Sequence, residues 1–311
     1  MGETDGHPIH PVVDGSAAEP RGDPGAICSV RGVRGRLQAA GLRPSRRRGQ
    51  NFLCHPGILA AVVEAADLHP SDVVLEIGAG LGALTVELAA TGAAVVAVEI
   101  DRALCGLLEA TLSANPNVHL VCGDILRLDR DEMGAVGPAG TFKVVANLPY
   151  CLTSPILERM LLEWTAMSMA VIMVQEEVAR RMVAPPGGDG YGSLTVLVHY
   201  YARAELLRLV PASAFWPRPD VRSAIVRLTR HTCPPVDVDP GRFFSVVRAA
   251  FGQRRKQLRN SLTGPPLGLS GSQARDLLGQ AGIDGTRRAE SMSLTEFAAL
   301  AQLLPRTGYA V

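Results

Sequence analysis

The sequence has very little lysine, no paired cysteine motif and no long hydrophobic run. Of its 31 basic residues only two, Lys143 and Lys256, are lysines. None of the six cysteines forms a CxxC pair, and most lie in apolar segments, which favours buried thiols over disulfides and gives no support to a metal site. No apolar run approaches the roughly 20 residues that span a bilayer, and the N-terminus lacks the pattern of a signal peptide. We therefore expect a soluble, cytoplasmic protein that does not contact membranes.

Acidic residues are missing from two stretches of the chain. Residues 25–63 contain seven arginines and no acid, and residues 241–274 contain six arginines and lysines and no acid. The formal net charge is only +1, so these are local basic zones on a nearly neutral protein. Such zones predict contact with a polyanion at chosen places, and a solvated basic face is the alternative.

Strand and helix patterns alternate through the middle of the chain. VVLEI, AVVAVEI, HLVCGD and FKVVANL have the composition of buried strands, and amphipathic helix patterns such as RALCGLLEATL and SPILERMLLEW separate them. This order predicts an α/β fold with a parallel, doubly wound sheet. Later segments, SLTVLVHYYA, AELLRLV and SAIVRLT, complete the same domain as helices or strands that the pattern alone does not distinguish.

Composition divides the chain into three parts. Residues 1–30 are rich in Gly, Pro, Asp and Ser without periodicity and predict a disordered tail. The α/β domain is expected over residues 31–230. A Pro-rich break follows, and the helical periodicity of RFFSVVRAAFGQRRKQLRNSL, SQARDLLGQAG and LTEFAALAQLL predicts a small helical domain over residues 231–311.

The stretch VLEIGAGLG joins a strand to a helix through Gly78, Gly80 and Gly82. Glycines there allow a tight turn and a close approach of a ligand, but the spacing is not the GxGxxG of dinucleotide sites. Glu99 ends the next strand, where it can accept from both hydroxyls of a ribose, and Asp124 follows the third strand, where it can accept from an adenine amine. Ribose and adenine without a diphosphate loop predict S-adenosylmethionine. A packing turn with helix-capping acids is the alternative.

The segment NLPY follows the fourth strand and reaches the same edge of the sheet. The Asn147 side-chain oxygen and the Leu148 carbonyl can each accept one N–H of an adenine amine, and Tyr150 can stack on the base. This arrangement suits methyl transfer because the amine is a poor nucleophile while its lone pair is conjugated, and because attack produces a cationic nitrogen. Asn in place of Asp indicates that attack needs no strong general base. An ordinary turn with an edge aromatic is the alternative.

Between about residues 44 and 265 these stretches join a longer ordered set: GQNFL, LEIGAGLGALT, VEID, GD, NLPY, VQEEVARRMVAPPG, YGSLTVLVHYY, VPASAFWPRPDVRSAIVRL and RAAFGQRRKQLRNSL. The set resembles the KsgA group of small-subunit rRNA adenine dimethyltransferases. The resemblance implies a Rossmann-like class I S-adenosylmethionine-dependent methyltransferase sheet with a small C-terminal helical domain. It also implies transfer of four methyl groups to two adjacent adenosines in a hairpin loop near the 3′ end of small-subunit rRNA, as a step in ribosome biogenesis.

The resemblance carries residue roles onto matching positions. The implied catalytic turn is Asn147, Leu148 and Tyr150. The implied cofactor-binding residues are Asn51, Leu53, Gly78, Gly80, Glu99, Asp124 and Asn147. The implied rRNA contacts, which would make binding sensitive to salt, are Arg46, Arg47, Arg48, Arg254, Arg255, Lys256 and Arg259. The expected partner is small-subunit rRNA in an immature subunit, and we expect a monomer because no extra apolar stripe calls for a protein partner. Cys151 departs from the family, which has a polar residue at that position.

Three other functions remain open. A related family methylates one adenosine of large-subunit rRNA with a similar turn, although GQNFL and RAAFGQRRKQLRNSL are more similar to the small-subunit enzymes. DNA adenine and glutamine methyltransferases have D-P-P-Y or N-P-P-Y, so Leu148 argues against them. A binding factor for ribosome assembly would use the same basic surfaces, although the presence of Glu99, Asp124 and Asn147 favours an active enzyme.

Overall fold

The computed structural model describes residues 27–129, 140–253 and 255–305, without the side chain of Arg46. The strands are β1 Phe52–Leu53, β2 Val73–Ile77, β3 Ala94–Glu99, β4 Val118–Cys122, β5 Phe142–Asn147, β6 Met167–Gln175, β7 Ala202–Val210, β8 Phe215–Trp216 and β9 Ser223–Arg230. The helices are α1 Val30–Ala39, α2 Pro56–Ala66, α3 Ala83–Ala90, α4 Arg102–Leu112, α5 Thr153–Leu162, α6 Glu176–Val183, α7 Ser193–Tyr201, α8 Pro240–Phe251, α9 Leu258–Ser261, α10 Gly271–Gln280 and α11 Leu294–Leu303.

A seven-stranded sheet forms the centre of the α/β part, with strand order β4-β3-β2-β5-β6-β9-β7. The first five strands in this order are parallel, which confirms the predicted α/β fold. β9 runs antiparallel to both of its neighbours, β6 and β7. The sheet is therefore mixed, and of the three unassigned segments SLTVLVHYYA is helix α7 while the other two lie in strands β7 and β9.

The strand order contains a switch point at β2. From β2 the chain continues outward through β3 and β4, and it then returns to place β5 on the opposite side of β2. The connections that leave the carboxyl ends of β2 and β5 therefore diverge, and a crevice opens between them. Open α/β sheets bind ligands in such a crevice.

The helical pattern predicted through RFFSVVRAAFGQRRKQLRNSL is wrong as one continuous helix. α8 ends at Phe251 and α9 begins at Leu258. Gly252 follows α8 directly and is a poor helix former. The break also brings Leu258 into a fully buried position, where its N–H donates to the Arg287 carbonyl at 2.8 Å. Burial of this leucine thus outweighs the local helical periodicity.

The C-terminal helices pack around an aromatic core that extends into the α/β part. The ring centroids of Phe243 on α8 and Tyr200 on α7 lie 4.7 Å apart, and Tyr200 is 1% exposed. The last strand ends at Arg230 and α8 begins at Pro240, on either side of the Pro-rich break. The division at residue 231 stays a prediction, but the two parts share this core.

Two expectations about the chain need correction. The predicted tail over residues 1–30 lies mostly outside the described residues, but Ile27 and Cys28 are buried, so the fold begins before residue 30. The expectation of buried thiols in place of disulfides is wrong for one pair, because Cys105 on α4 is bonded to Cys122 at the end of β4. The spacing of these two cysteines in the sequence matches no disulfide motif. They come together only because α4 packs beside β4.

Candidate active site

A pocket opens at the switch point, on the carboxyl edge of the sheet. Four segments contribute to its lining: residues 49–53, residues 78–81, residues 99–100 and residues 147–150. The first segment contains GQNFL, the second the glycine turn, the third the end of β3 and the fourth NLPY. The structure therefore brings together at one edge all but one of the residues predicted to bind the cofactor.

The glycine turn connects β2 to α3 and forms one wall of the pocket. Gly78 and Gly80 have positive φ angles of 78° and 62°, which glycine adopts readily and other residues adopt only at a cost. A Cβ atom at Gly80 would lie 3.3 Å from the Phe52 ring, so a side chain there would displace that ring. The turn thus requires glycine for both its backbone conformation and the space beside it.

Glu99 is held in a fixed orientation at the end of β3. Its side chain is 5% exposed, Oε2 accepts from the Gly80 N–H at 2.9 Å, and Oε1 accepts from the Asp101 N–H at 2.8 Å. Burial raises the pKa of this carboxyl, and the two backbone donors limit the rise. Each carboxylate oxygen has a second lone pair, so Glu99 can still accept from the two hydroxyls of a ribose.

Asp124 lies at the next strand end and is the one predicted cofactor residue outside the pocket lining. Its Oδ1 accepts from the Leu126 N–H at 3.0 Å. The N–H of the adjacent Gly123 donates to the Glu99 carbonyl at 2.9 Å, which joins the ends of β3 and β4 directly. A ligand that reaches Asp124 must therefore extend past Glu99 along the sheet edge, as an adenine attached to a ribose would.

The amide of Asn147 joins NLPY to GQNFL. Its Nδ2 donates to the Asn51 carbonyl at 3.0 Å, and Asn51 Nδ2 in turn donates to the Gly49 carbonyl at 3.2 Å. Because Nδ2 is held in this way, Oδ1 is the atom that remains to accept. No donor within the described ranges contacts Asn147 Oδ1, so it is available to a ligand amine.

The rest of the turn is shaped by burial and by a hydroxyl pair. The Leu148 side chain is 1% exposed and its N–H donates to the Met173 carbonyl, which fixes the turn to β6. Pro149 follows with φ of −63°, and a short 3-10 helix begins at Tyr150. The Tyr150 hydroxyl lies 2.6 Å from Ser223 Oγ, and burial raises the pKa of this phenol. Ser223 lies in no distinctive sequence pattern, so the sequence did not predict its contact with Tyr150.

Glu76 is a second acid in the pocket lining that sequence reasoning missed. It is 1% exposed, and within the described ranges neither Glu76 Oε2 nor the Thr85 hydroxyl has a hydrogen-bond partner. Burial raises the pKa of Glu76 to about 8, and the nearby Glu99 adds to this rise. One sequence signal was present, because Glu76 is the only charged residue of the strand VVLEI.

The predicted rRNA contacts fall into two groups. Arg47, Arg255, Lys256 and Arg259 are exposed. Arg48 also lines the pocket, where its guanidinium pairs with Asp101 just after β3.

Two predicted contacts, Arg254 and the side chain of Arg46, lie outside the described residues. All described cations of the set are therefore exposed, and Arg48 in addition has an acidic partner beside the cofactor pocket.

The pocket suits S-adenosylmethionine better than a metal ion or a diphosphate. The space that a Cβ at Gly80 would fill, the two oriented oxygens of Glu99 and the unpartnered carboxyl of Glu76 fit a nucleoside with a cationic amino-acid substituent. Among the residues that the structure describes, no group of three or more His, Cys, Asp or Glu side chains is arranged to hold a metal ion. No described helix is long and apolar enough to cross a membrane.

Known proteins share both the sequence and the fold. The family model "Ribosomal RNA adenine dimethylase" matches residues 42–304. "Ribosomal RNA small subunit methyltransferase A" of Moorella thermoacetica is 47% identical over 86% of this chain and 95% of its own length. The protein of the same name from Pelotomaculum thermopropionicum is 45% identical over 88% of this chain and 96% of its own.

Two solved structures give the same picture. The 23S rRNA methyltransferase ErmE is 30% identical, with a TM-score of 0.62 over 81% of this chain and 98% of its own. A dimethyladenosine transferase from Plasmodium falciparum shares the fold at 24% identity, with a TM-score of 0.68 over 80% of this chain and 95% of its own. Since the family model spans most of the chain and relatives of nearly equal length are 45–47% identical, the chain belongs to the ribosomal RNA adenine dimethylase family, whose members are S-adenosylmethionine-dependent methyltransferases.

Proposed function

We propose that the protein dimethylates the exocyclic amines of two adjacent adenosines in the 3′-terminal hairpin loop of small-subunit rRNA. The observation that carries this proposal is the orientation of Asn147, whose Nδ2 is bound to the Asn51 carbonyl while Oδ1 remains available as an acceptor at the pocket. The preference for the small subunit rests on sequence, because the small-subunit relatives are 45–47% identical and the large-subunit enzyme ErmE is 30% identical.

The residues that would hold the cofactor follow the order of the strands. Asp124 after β4 would bind the adenine, Glu99 after β3 the ribose, and Gly78 and Gly80 after β2 the methionine end, with Asn51 and Leu53 closing the pocket. When bound, S-adenosylmethionine supplies a methyl group made electrophilic by its sulfonium. A cofactor held by these residues would present its methyl group toward Asn147 at the end of β5.

The target amine would then be oriented by acceptors of the chain. Asn147 Oδ1 and the Leu148 carbonyl each accept one N–H, which favours a pyramidal nitrogen whose lone pair faces the methyl group. As the nitrogen becomes cationic, both interactions strengthen, which is the property that lowers the barrier. The resulting ammonium is acidic enough to lose its proton after the transfer. The Asn147 amide is therefore sufficient, and no stronger base is needed to remove a proton during the attack.

Recognition of the RNA would combine stacking with contacts to phosphates. Tyr150 lies in the pocket lining beside Asn147 and would stack on an unpaired adenine, in keeping with the way proteins bind splayed bases. The exposed Arg47, Arg255, Lys256 and Arg259 would contact the rRNA backbone. The expected substrate is an immature small subunit in the cytoplasm, and the protein would act as a monomer.

The decisive experiment is transfer of labelled methyl groups from S-adenosylmethionine to unmethylated small subunits, followed by digestion of the rRNA and mass analysis. We expect dimethyladenosine at two adjacent positions of the 3′-terminal hairpin. Label on large-subunit rRNA alone would instead assign the activity of the ErmE-like enzymes.

The assembly-factor alternative needs a separate variant. Asn147→Ala should abolish methylation and leave the exposed basic residues unchanged. If this variant supports ribosome assembly fully, binding is the main function and methylation is secondary.

A further inference from the structure

The hydroxyl pair of Tyr150 and Ser223 connects the catalytic turn to a part of the sheet that does not bind the cofactor. Ser223 is the first residue of β9 and is fully buried. Its backbone is paired with Gln175 of β6 on one side and Val210 of β7 on the other. Ser223 is therefore a fixed point, and it is not among the residues that line the pocket.

Tyr150, in contrast, stands at the start of a short 3-10 helix and is half-buried. A tyrosine ring is set by two side-chain torsions: the first decides where the ring lies, and the second turns the ring about an axis that passes through the hydroxyl oxygen. A hydrogen bond to the hydroxyl therefore fixes the place of the ring. The Tyr150 hydroxyl is bound, at 2.6 Å from Ser223 Oγ. No ring pair among the described residues includes Tyr150, so no other aromatic side chain holds its ring or covers its face.

We propose that Ser223 is a positioning residue for methyl transfer, whose hydroxyl holds the Tyr150 ring at the place where it stacks on the target adenine. This inference rests on the proposed stacking role of Tyr150 and adds the residue that fixes the place of its ring. Ser223 touches neither cofactor nor target in this account and acts only through Tyr150. Its loss should therefore affect the transfer step and leave the binding of S-adenosylmethionine unchanged.

The test compares Ser223→Ala, Tyr150→Phe and the double variant. For each, kcat and KM are measured with unmethylated small subunits, and the Kd of S-adenosylmethionine is measured by calorimetry. Loss of one hydroxyl pair should lower kcat about 5- to 10-fold in each single variant. Because both changes remove the same hydrogen bond, the double variant should be no slower than the slower single variant. The Kd of the cofactor should stay within about twofold of the wild-type value.

A matched control removes a buried tyrosine hydroxyl elsewhere. Tyr191 donates to the Met292 carbonyl at 2.7 Å within the core of the C-terminal helices. Tyr191→Phe should leave kcat unchanged. If Ser223→Ala fails to fold, Tyr150→Phe removes the same hydrogen bond at the half-buried Tyr150, and its kcat alone tests the inference.

Several results would overturn the inference. Wild-type kcat in Tyr150→Phe or Ser223→Ala is one, and a double variant whose loss equals the product of the single losses is another. A weakening of cofactor binding that matches the fall in kcat would show a general collapse of the pocket. Tyr150→Ala distinguishes failure of the proposed stacking role from failure of the Ser223 inference. If Tyr150→Ala retains wild-type kcat, the stacking role of Tyr150 is wrong. If Tyr150→Ala is slow and Ser223→Ala is not, only the role of Ser223 is wrong.

Discussion

Glu76 gives a prediction about stability that can be worked out from the structure. Its carboxyl is 1% exposed, and burial raises its pKa from 4.5 to about 8. Because the folded-state pKa lies above the unfolded value, the folded protein binds this proton more tightly than the unfolded chain does. The stability that this group contributes is therefore complete below the unfolded pKa and is lost as the pH rises through the folded pKa.

The size of the effect follows from the shift. One pKa unit corresponds to about 1.4 kcal/mol, so the free energy of unfolding should fall by roughly that amount per pH unit between about pH 5 and about pH 8 because of Glu76 alone. Over this range the loss amounts to roughly 4 kcal/mol. Glu76→Gln replaces the carboxyl by an amide of the same shape that stays neutral, so the variant should lack this dependence.

The assay is urea unfolding of the cofactor-free protein at several pH values, followed by circular dichroism. The difference between variant and wild type cancels the titration of groups that do not interact with Glu76. This difference should move in favour of the variant as the pH rises. Glu64→Gln, at an exposed position on α2, is the control for loss of one carboxylate. A difference between Glu76→Gln and wild type that is constant with pH would refute the reasoning.

Three further predictions concern the cofactor and the RNA. Glu99→Gln should weaken S-adenosylmethionine binding about 10- to 100-fold in calorimetry, because a charged acceptor is lost; an unchanged Kd would contradict the ribose role. Gly80→Ala should lower the free energy of unfolding by about 1–2 kcal/mol in urea, since φ is 62° and the Cβ would lie 3.3 Å from the Phe52 ring. Arg255→Ala should weaken binding to small subunits and reduce the slope of log K against log salt by about 1; a slope equal to that of the wild type would remove Arg255 from the RNA surface.

Much of the fold could be predicted because the parallel strands are buried on both faces. β2 and β3 are almost wholly buried, and apart from Glu76 and Glu99 they consist of Val, Leu, Ile and Ala, which carry that environment in the sequence. β7 has an irregular burial pattern at the sheet edge, and a register shift interrupts its pairing with β9 between Leu206 and Arg208. The sequence of β7 shows neither a regular alternation of apolar and polar residues nor a continuous apolar run. The pattern therefore did not distinguish a strand from a helix.

The residues of the candidate site that could be predicted are those that lie at the ends of strands. Gly78, Glu99 and Asn147 each follow a recognisable strand, and parallel strands bring their carboxyl ends to one edge. The disulfide between Cys105 and Cys122 and the contact between Tyr150 and Ser223 depend instead on which elements pack together. Pairings of this kind leave no local pattern, so only the tertiary structure reveals them.

The two halves of the sheet edge therefore have different tasks. In the proposed reaction, β4, β3 and β2 would carry the acids and glycines that hold a nucleoside, and these three strands are parallel to one another. Beyond β5 the sheet continues through β6 to the antiparallel β9, and Ser223 at the start of β9 reaches back to Tyr150. In the proposed reaction a target base would enter from solvent and would need a stacking ring that the cofactor does not hold in place. An antiparallel strand beside β6 supplies the needed anchor, because its first residue meets the carboxyl end of β6 at the same edge as Asn147.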